Sequence, residues 1–593
     1  MIGVCASIFS ASDPSERREP VAASSSTNPR SLRGETLRER RNALSAPRKN
    51  LLWAPILSIA AAVSAVEIPF FFFGTPSGHD VEFHLYSWLE VLSQWREGVF
   101  YPRWAALAQF GYGEPRFVFY PPASWTIGAA LSAIFPWVLV PSIYIWLVLV
   151  AAGGSMFVLA RRWLTPRDAT CVAVLYAVNP YHLLIVYWRS AFAELLAAVL
   201  LPLLLLILLR DENGQSKMRR KIPLLALVLA ASWLVNVPAA VMIHYSFALL
   251  VVVIAWQRRS ARLLGTGVVA VILGAGLAAF YLVPVAYEQK WVDIAQAVSF
   301  GARPVDSFLF TRTGDKDHNA FNFLVSSLAA AEIVLTLSLA WCARKWQVRE
   351  AWWSLVSWAM VCAVFMLPFT NPLWDVLPKL QFMQFPWRFL LCMGVPFSLF
   401  LVIAVKRWWM RVGLYLVMLS VIAAAGYHFQ PPWWDQAADL REMQDNVATG
   451  AGYEGTEEYA PIGATPAKLD KDARRVTVEG PAKAAIRVTD WKAEHRAFTA
   501  EMSQPDNLVI KLLNYPAWLV QVNGHDVLTG TREVTGQMLV PVERGMNRVE
   551  IVFSRTWDRK VGAWISLLAL ALLVLSTQYE IDVSWIPKSE TGS

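Results

Sequence analysis

The chain reads as a polytopic α-helical membrane protein of about twelve spans, with a small β-sandwich placed just before the last one. Three observations predict this fold class. Apolar runs recur at the length a bilayer demands, roughly 20 residues each. The composition is 56% hydrophobic and only 17% charged, with mean hydropathy +0.39 over 593 residues, which excludes an ordinary soluble enzyme. Basic residues also gather at alternate ends of the apolar runs, as the positive-inside rule requires.

Spans are expected at 51–73, 139–160, 168–186, 192–209, 222–236, 240–256, 263–282, 321–341, 351–367, 387–404, 411–427 and 561–577. The basic clusters are Arg161/Arg162/Arg167, Arg210/Lys217/Arg219/Arg220/Lys221, Arg258/Arg259/Arg262, Arg344/Lys345/Arg349 and Lys406/Arg407/Arg411. With the N-terminal tail in the cytoplasm, strict alternation puts every cluster inside. Residues 121–135 are apolar enough to resemble a span, but counting them would expose every later basic loop. They are therefore expected to form an interfacial or re-entrant helix.

The Ser/Arg-rich segment 1–50 has no apolar core of its own and is expected as a disordered cytoplasmic tail, with 51–73 serving as an uncleaved signal anchor. Residues 51–427 form the membrane domain, 428–560 an extracytoplasmic β-rich domain, and 578–593 a second cytoplasmic tail. Strand-like alternation in NLVIKLL and NRVEIVF, and a VQVNGHDV hairpin turning at Asn523-Gly524, predict the sandwich. The five cysteines lie in the tail or in spans, so the β-rich region has no disulfide framework. The formal charge of +8 resides in short loops and implies no nucleic-acid partner.

The chemistry concentrates in 77–122, SGHDVEFHLYSWLEVLSQWREGVFYPRWAALAQFGYGEPRFVFYPP. His79, Asp80, Glu82 and His84 follow directly on the first span, where desolvation makes ionisable groups costly unless they are used. If 80–97 is helical, Asp80 and His84 share a face, and Leu85, Trp88, Leu89, Leu92, Trp95 and Val99 make an apolar stripe. Such a helix would lie flat on the bilayer and hold Asp80 at the mouth of the first span. The simpler role for Asp80 is to cap this helix. Glu194 starts a span beside Arg189, with which it would pair. Lys379 and Arg388 come from the outward loop 372–391, where Arg388 suits either a phosphate or an interfacial anchor. Among polar residues within spans only Glu332 sits near a midplane, so the site is expected at the outer face. Trp88, Tyr101, Trp104 and Tyr120 are candidate sugar-stacking rings.

A first span followed by an early Asp, an amphipathic helix and a YPP turn resembles the GT-C glycosyltransferases, which take sugars from polyprenyl-phosphate carriers. More closely, GHDVEFHLYSWLEVLSQWREGVFYPRW, NPYHLLIVYWRSAFAELLA, QFPWRFL and GYEGTEEYAP resemble bacterial membrane proteins with a 6-pyruvoyl-tetrahydropterin-synthase-related domain, allied to the YfhO-like group. The resemblance spans roughly 51–577 and implies no pterin chemistry. It implies an enzyme of the bacterial inner membrane, multi-pass, moving a sugar from a polyprenyl-phosphate donor to an envelope glycan, lipid or protein acceptor. Asp80 and Glu194 match its catalytic acids, and Arg388 its carrier-phosphate contact; Glu82, His84, Arg189, Lys379, Trp88 and Tyr120 would line the site. Asp80-Val81-Glu82 replaces an adjacent acidic pair, so no cofactor is expected, although a divalent metal on His79, Asp80, Glu82 and His84 stays open. A lipid or polysaccharide translocator and a non-catalytic envelope-assembly scaffold are the alternative functions.

Overall fold

The computed structural model of the protein describes residues 53–210, 221–428 and 431–578. The expected N-terminal tail, the C-terminal tail past Gln578, and Lys217, Arg219 and Arg220 lie outside these residues. Among the described residues, seven helices are long and apolar enough to cross a membrane, or up to nine if each of two bent pairs is one span. The seven are Trp53–Phe73, Trp137–Ala160, Pro166–Arg189, Val237–Arg258, Lys316–Lys345, Pro386–Ala404 and Trp557–Ser576. The bent pairs are Ala261–Leu277 with Ala279–Trp291 and Arg349–Phe365 with Pro368–Val376. At the second bend Leu367 is extended ahead of Pro368, as a residue preceding proline prefers. Three shorter apolar helices, Phe192–Leu208, Lys221–Val235 and Trp408–Ala424, fall on three further expected spans.

The loops sort to two ends. At one end Arg258 pairs with Glu350, Arg411 with Asp168 at 2.9 Å, and Lys221 Nζ donates to the Arg210 carbonyl at 2.9 Å. Arg162, Trp163, Leu209 and Glu350 line one cavity there, so the basic loops share a single surface. At the other end, Thr75–Pro76 pairs antiparallel with Trp434–Asp435, and Val292 bridges Pro461. The expected sidedness of the basic clusters thus has a geometric counterpart.

The β-rich region begins later than expected. Residues 437–449 form a helix, with a capping box from Gln436 and Asp439, before any strand of the sandwich. One sheet has the order Val476–Val478, Asp506–Leu513, Gln537–Val542, Gly530–Thr531. The other runs Ala484–Trp491, His495–Met502, Gly545–Phe553, Trp518–Val522, His525–Asp526. Asn523 and Gly524 both take positive φ at the predicted hairpin turn. Glu288 anchors this unit: Arg559 donates to it from two nitrogens at 2.7 and 2.8 Å, and the Tyr515 hydroxyl donates at 2.6 Å. One buried carboxylate therefore ties the sandwich and the final helix to Ala279–Glu288.

The helix Val81–Arg96 corrects one expectation. It does not lie flat on a bilayer, because protein covers both of its faces. Leu85, Trp88 and Leu89 are buried in the main core, and the Trp88 ring packs at 4.7 Å on Tyr144 and 5.5 Å on Phe192. The polar face is covered as well. Glu90 accepts from the Leu107 amide at 3.0 Å and from the Tyr453 hydroxyl, and Gln94 donates to the Trp104 carbonyl at 2.8 Å. Pro122–Ile134 is the short helix expected from 121–135, and it packs against the apolar face. Gly128 makes that approach possible, since a Cβ there would sit 2.1 Å from the Trp88 ring.

Replacing Gly128 by Ala is therefore expected to destabilise the protein by about 1–3 kcal/mol through overpacking. Gly154→Ala, where nothing lies within 4 Å, gains helix propensity of up to about 1 kcal/mol. Thermal unfolding in detergent, followed by tryptophan fluorescence, compares the two.

Candidate functional site

The site begins with a backbone weld. The Gly78 amide donates to Ser190 Oγ at 2.9 Å, Ser190 Oγ donates to the Pro76 carbonyl at 3.0 Å, and the Asp80 amide donates to the Arg189 carbonyl at 2.9 Å. Gly78 is required, because a Cβ would meet the backbone of Trp188 and Arg189 at 2.5 Å. On the other side of the weld the helix from Pro180 widens into a π-turn over Ile185–Arg189 and stops at Ser190 in the left-handed region, φ 50. The π-turn swings Arg189 inward as the chain reverses into Phe192–Ala197.

Four of the expected residues converge there. Arg189 donates to Glu194 Oε2 at 2.5 Å and to Asp80 Oδ2 at 3.4 Å. Arg388 Nε lies 3.1 Å from the same Glu194 oxygen without the alignment of a hydrogen bond, while its Nη1 donates to the Met383 carbonyl at 2.8 Å. Glu194 Oε1 accepts the Tyr181 hydroxyl at 2.6 Å. Phe385 and Trp387, stacked 4.8 Å apart, present ring faces to the guanidiniums, with Arg189 5.0 Å from Trp387 and Arg388 4.8 Å from Phe385.

The two carboxylates differ in kind. The Glu194 side chain is 1% exposed and both of its oxygens are engaged, so it holds two arginines rather than offering a base. This corrects its assignment as a second catalytic acid. Asp80 is 41% exposed, and it makes no side-chain cap on the helix it precedes. Its carboxylate turns to Arg189 instead, which removes the capping role as the reason for an Asp at this position.

The remaining expected residues scatter. His84 is buried among Phe83, Tyr120, Phe192 and Trp88, and burial pushes its pKa down to about 4 against the pull of Asp80, so the ring is neutral. Tyr120 borders the site; burial and the charges of Asp80 and Glu458 hold its phenol well above the ordinary value, with Arg388 opposing. Glu82 is exposed, its carboxyl raised by partial desolvation and by Asp435 and Glu454. Lys379 stands exposed, 5.0 Å from the centre of the Phe382 ring. Trp88 and Trp104 are core residues; the Trp104 ring packs 5.4 Å from Trp518 and 5.7 Å from Phe553. Burial thus takes both out of the sugar-stacking role. Glu332 is fully buried beside the Asn179 amide.

His79 turns its Nδ1 to the Trp188 carbonyl at 3.1 Å between Phe321 and Trp433. With His84 in an aromatic cage and Glu82 facing Asp435 and Glu454, the four groups offered as metal ligands do not converge. Among the described residues no group of three or more His, Cys, Asp or Glu side chains gathers in a ligating arrangement.

Sequence reasoning missed Tyr181, Ser190 and Gly78, whose roles exist only once the two loops meet. The segment 452–461, quoted above only as a family motif, packs on the helix Val81–Arg96 and the loop that follows it. The Tyr453 ring stacks at 4.3 Å on Tyr86, and Thr456 donates its amide to Glu114 Oε2 at 2.9 Å. The Tyr459 ring stacks at 5.9 Å on Phe119. The periodic signal for it was faint, but its run of acidic and aromatic residues was not.

A family model for membrane proteins with a 6-pyruvoyl-tetrahydropterin synthase related domain matches residues 117–429. No curated protein matches. Among solved structures, the chain is similar to the apo oligosaccharyltransferase of Archaeoglobus fulgidus, at 13% identity and a TM-score of 0.35. The alignment covers 69% of this chain and 57% of that one, so it spans less than two thirds of that protein.

The asymmetry of the two carboxylates predicts their cost when removed. Glu194→Gln leaves two buried guanidiniums undercompensated and is expected to lose about 3–5 kcal/mol of stability. Asp80→Asn, at a partly exposed pair, is expected to change stability by less than about 1 kcal/mol. Unfolding of the two purified variants measures the difference.

Proposed function

The chain belongs to the family of membrane proteins with the 6-pyruvoyl-tetrahydropterin synthase related domain, and for this member we propose a glycosyltransferase of GT-C type that takes a sugar from a polyprenyl-phosphate carrier. The acceptor is an envelope glycan, lipid or protein at the outer face of the bacterial inner membrane. One observation carries this reading: an accessible carboxylate, Asp80, pairs with the buried Arg189, which shares Glu194 with the buried Arg388. A base next to a fixed positive site is what displacement of a phosphate requires.

In the proposed step Asp80 takes the proton of an acceptor hydroxyl. The acceptor oxygen bonds to the anomeric carbon as the bond from that carbon to the carrier phosphate breaks. The electron pair leaves on the phosphate, and Arg388 with Arg189 neutralises it. Glu194 and Tyr181 position the arginines, so that the charge meets donors that need no reorganisation. A single displacement inverts the anomeric centre.

The same reading includes a membrane domain of twelve spans with both tails in the cytoplasm and the sandwich outside. The motivation is that the basic loops share one surface while the weld lies at the other end. In a cysteine-free background, Ala261→Cys and Asp445→Cys are expected to react with an impermeant maleimide from opposite sides of sealed vesicles. Labelling of both from one side would sink this topology.

The chemistry is tested in membranes with a radiolabelled undecaprenyl-phosphate sugar. Asp80→Asn is expected to lower transfer by about 10²–10⁴, the usual share of general-base catalysis, with normal amounts of protein. Arg388→Lys is expected to weaken undecaprenyl phosphate binding, since a point charge does not reproduce the guanidinium fork. Full transfer by a well-expressed Asp80→Asn protein would remove the residue on which the proposal rests.

A further inference from the structure

The sandwich edge carries a cleft of ligand-binding size. Its volume is about 530 Å³, inside the roughly 300–1,000 Å³ range of small-molecule sites. One wall is the sandwich itself, from residues within 514–520 and 526–531. The other is Lys290 and Trp291 with Pro461 and Ile462. No residue of this cleft belongs to the group around Asp80, so binding here stands or falls apart from transfer there.

Both walls are fixed before a ligand arrives, which lowers the ordering cost of binding. The Tyr515 hydroxyl donates to Glu288 at 2.6 Å, and Glu288 closes the helix that leads into Lys290. The Ile462 amide donates to the Trp291 carbonyl at 3.0 Å, and Val292 bridges Pro461. On the sandwich side Asn514 Nδ2 donates to Thr531 Oγ1 at 2.7 Å and to the Gly530 carbonyl at 3.2 Å, while its Oδ1 accepts from Thr529 at 3.3 Å.

The groups on these walls are of mixed chemistry. Trp291 stands edge-on to Tyr515 with ring centres 5.4 Å apart and is only half-buried, so part of its ring lines the cleft. Thr531 Oγ1 accepts from Asn514, which leaves its own proton for another acceptor. Asp526 is exposed, and Gln521 Nε2 donates to its Oδ1 at 2.8 Å, which leaves Oδ2 to accept. Lys290 is exposed, its ammonium 5.7 Å from the centre of the Trp291 ring. Leu519 and Leu528, both exposed, add apolar surface beside these groups.

We propose that this cleft binds a neutral oligosaccharide, with Trp291 stacking on a sugar ring and Asp526, Thr531 and Lys290 holding its hydroxyl groups. One anion and one cation lie in the same cleft, which favours a neutral ligand over a charged one. A peptide adding as a strand has too little edge to join, because the edge strands here, His525–Asp526 and Gly530–Thr531, are two residues each. A lipid tail would strip water from Asp526 and Lys290 without replacing it. A sugar ring has an apolar C–H face for the indole and hydroxyls that both donate and accept.

The test is isothermal titration calorimetry on the full chain in lipid nanodiscs, which avoids sugar detergents. The probes are maltohexaose, cellohexaose, mannohexaose and N-acetylchitohexaose, with hexagalacturonate as the charged comparison. At least one neutral probe is expected to bind saturably, and more tightly than hexagalacturonate. Trp291→Ala is expected to weaken that binding about tenfold, and Trp291→Tyr to keep it within about threefold. Asp526→Ala is expected to weaken it about fivefold, while Arg544→Ala, outside the cleft, leaves it unchanged. Binding of none of the neutral probes, or of hexagalacturonate alone, overturns the proposal. Binding that survives Trp291→Ala in a folded protein overturns it too. Where Trp291→Ala does not fold, Asp526→Ala, whose side chain is exposed, decides in the same way.

Discussion

A buried carboxylate shared between two guanidiniums is the constraint on which one end of this molecule depends. Removing the Glu194 carboxylate would leave Arg189 and Arg388 uncompensated in a low-dielectric interior, and removing either arginine would take away one of its partners. Three helices are thereby locked at their ends: Pro166–Arg189, Phe192–Leu208 and Pro386–Ala404. The stacked rings of Phe385 and Trp387 present their faces to both guanidiniums. Asp80 reaches only its edge, so the chemistry has one accessible group on a rigid electropositive floor.

The floor is rigid because the loop after the first span is sewn to the turn at 188–190 through backbone atoms. Side-chain contacts can hop between rotamers, whereas the amides of His79 and Asp80, paired with the Trp188 and Arg189 carbonyls, have one geometry. Gly78 is the permissive element, and the π-turn at 185–189 is its counterpart. Neither is stable on its own account. Each exists because the other occupies the space that a regular helix or a side chain would have filled.

The membrane portion of the fold was legible in the sequence because run length and basic-loop placement are local properties, and the sandwich because alternation in 507–513 and 547–553 is local too. The convergence of Asp80, Arg189, Glu194 and Arg388 was foreseen in outline from their common depth. Their division of labour was not. That Glu194 is saturated depends on Tyr181, thirteen residues away across the chain reversal at Ser190. Nothing local marks Ser87, Glu90 and Gln94 as a packed face. Its true partner, Tyr453, lies 363 residues downstream of Glu90, and no periodicity carries information across that separation. Trp88 and Trp104 failed as sugar platforms for the same reason, since core and cleft are indistinguishable until the facing element is known.

The position of 452–461 in the chain has a consequence for biogenesis. The helix Val81–Arg96 enters the membrane system early, with Ser87, Glu90 and Gln94 uncovered. It stays so through synthesis of more than three hundred further residues, until Tyr453 and Thr456 are made. Most of the helices therefore exist before that polar face has its cover. A truncated product that ends after Ala424 carries Asp80, both arginines and Glu194, yet lacks the Tyr453 hydroxyl that binds Glu90 and the Thr456 groups that bind Glu114. Completion of the chain is what covers the polar face of Val81–Arg96.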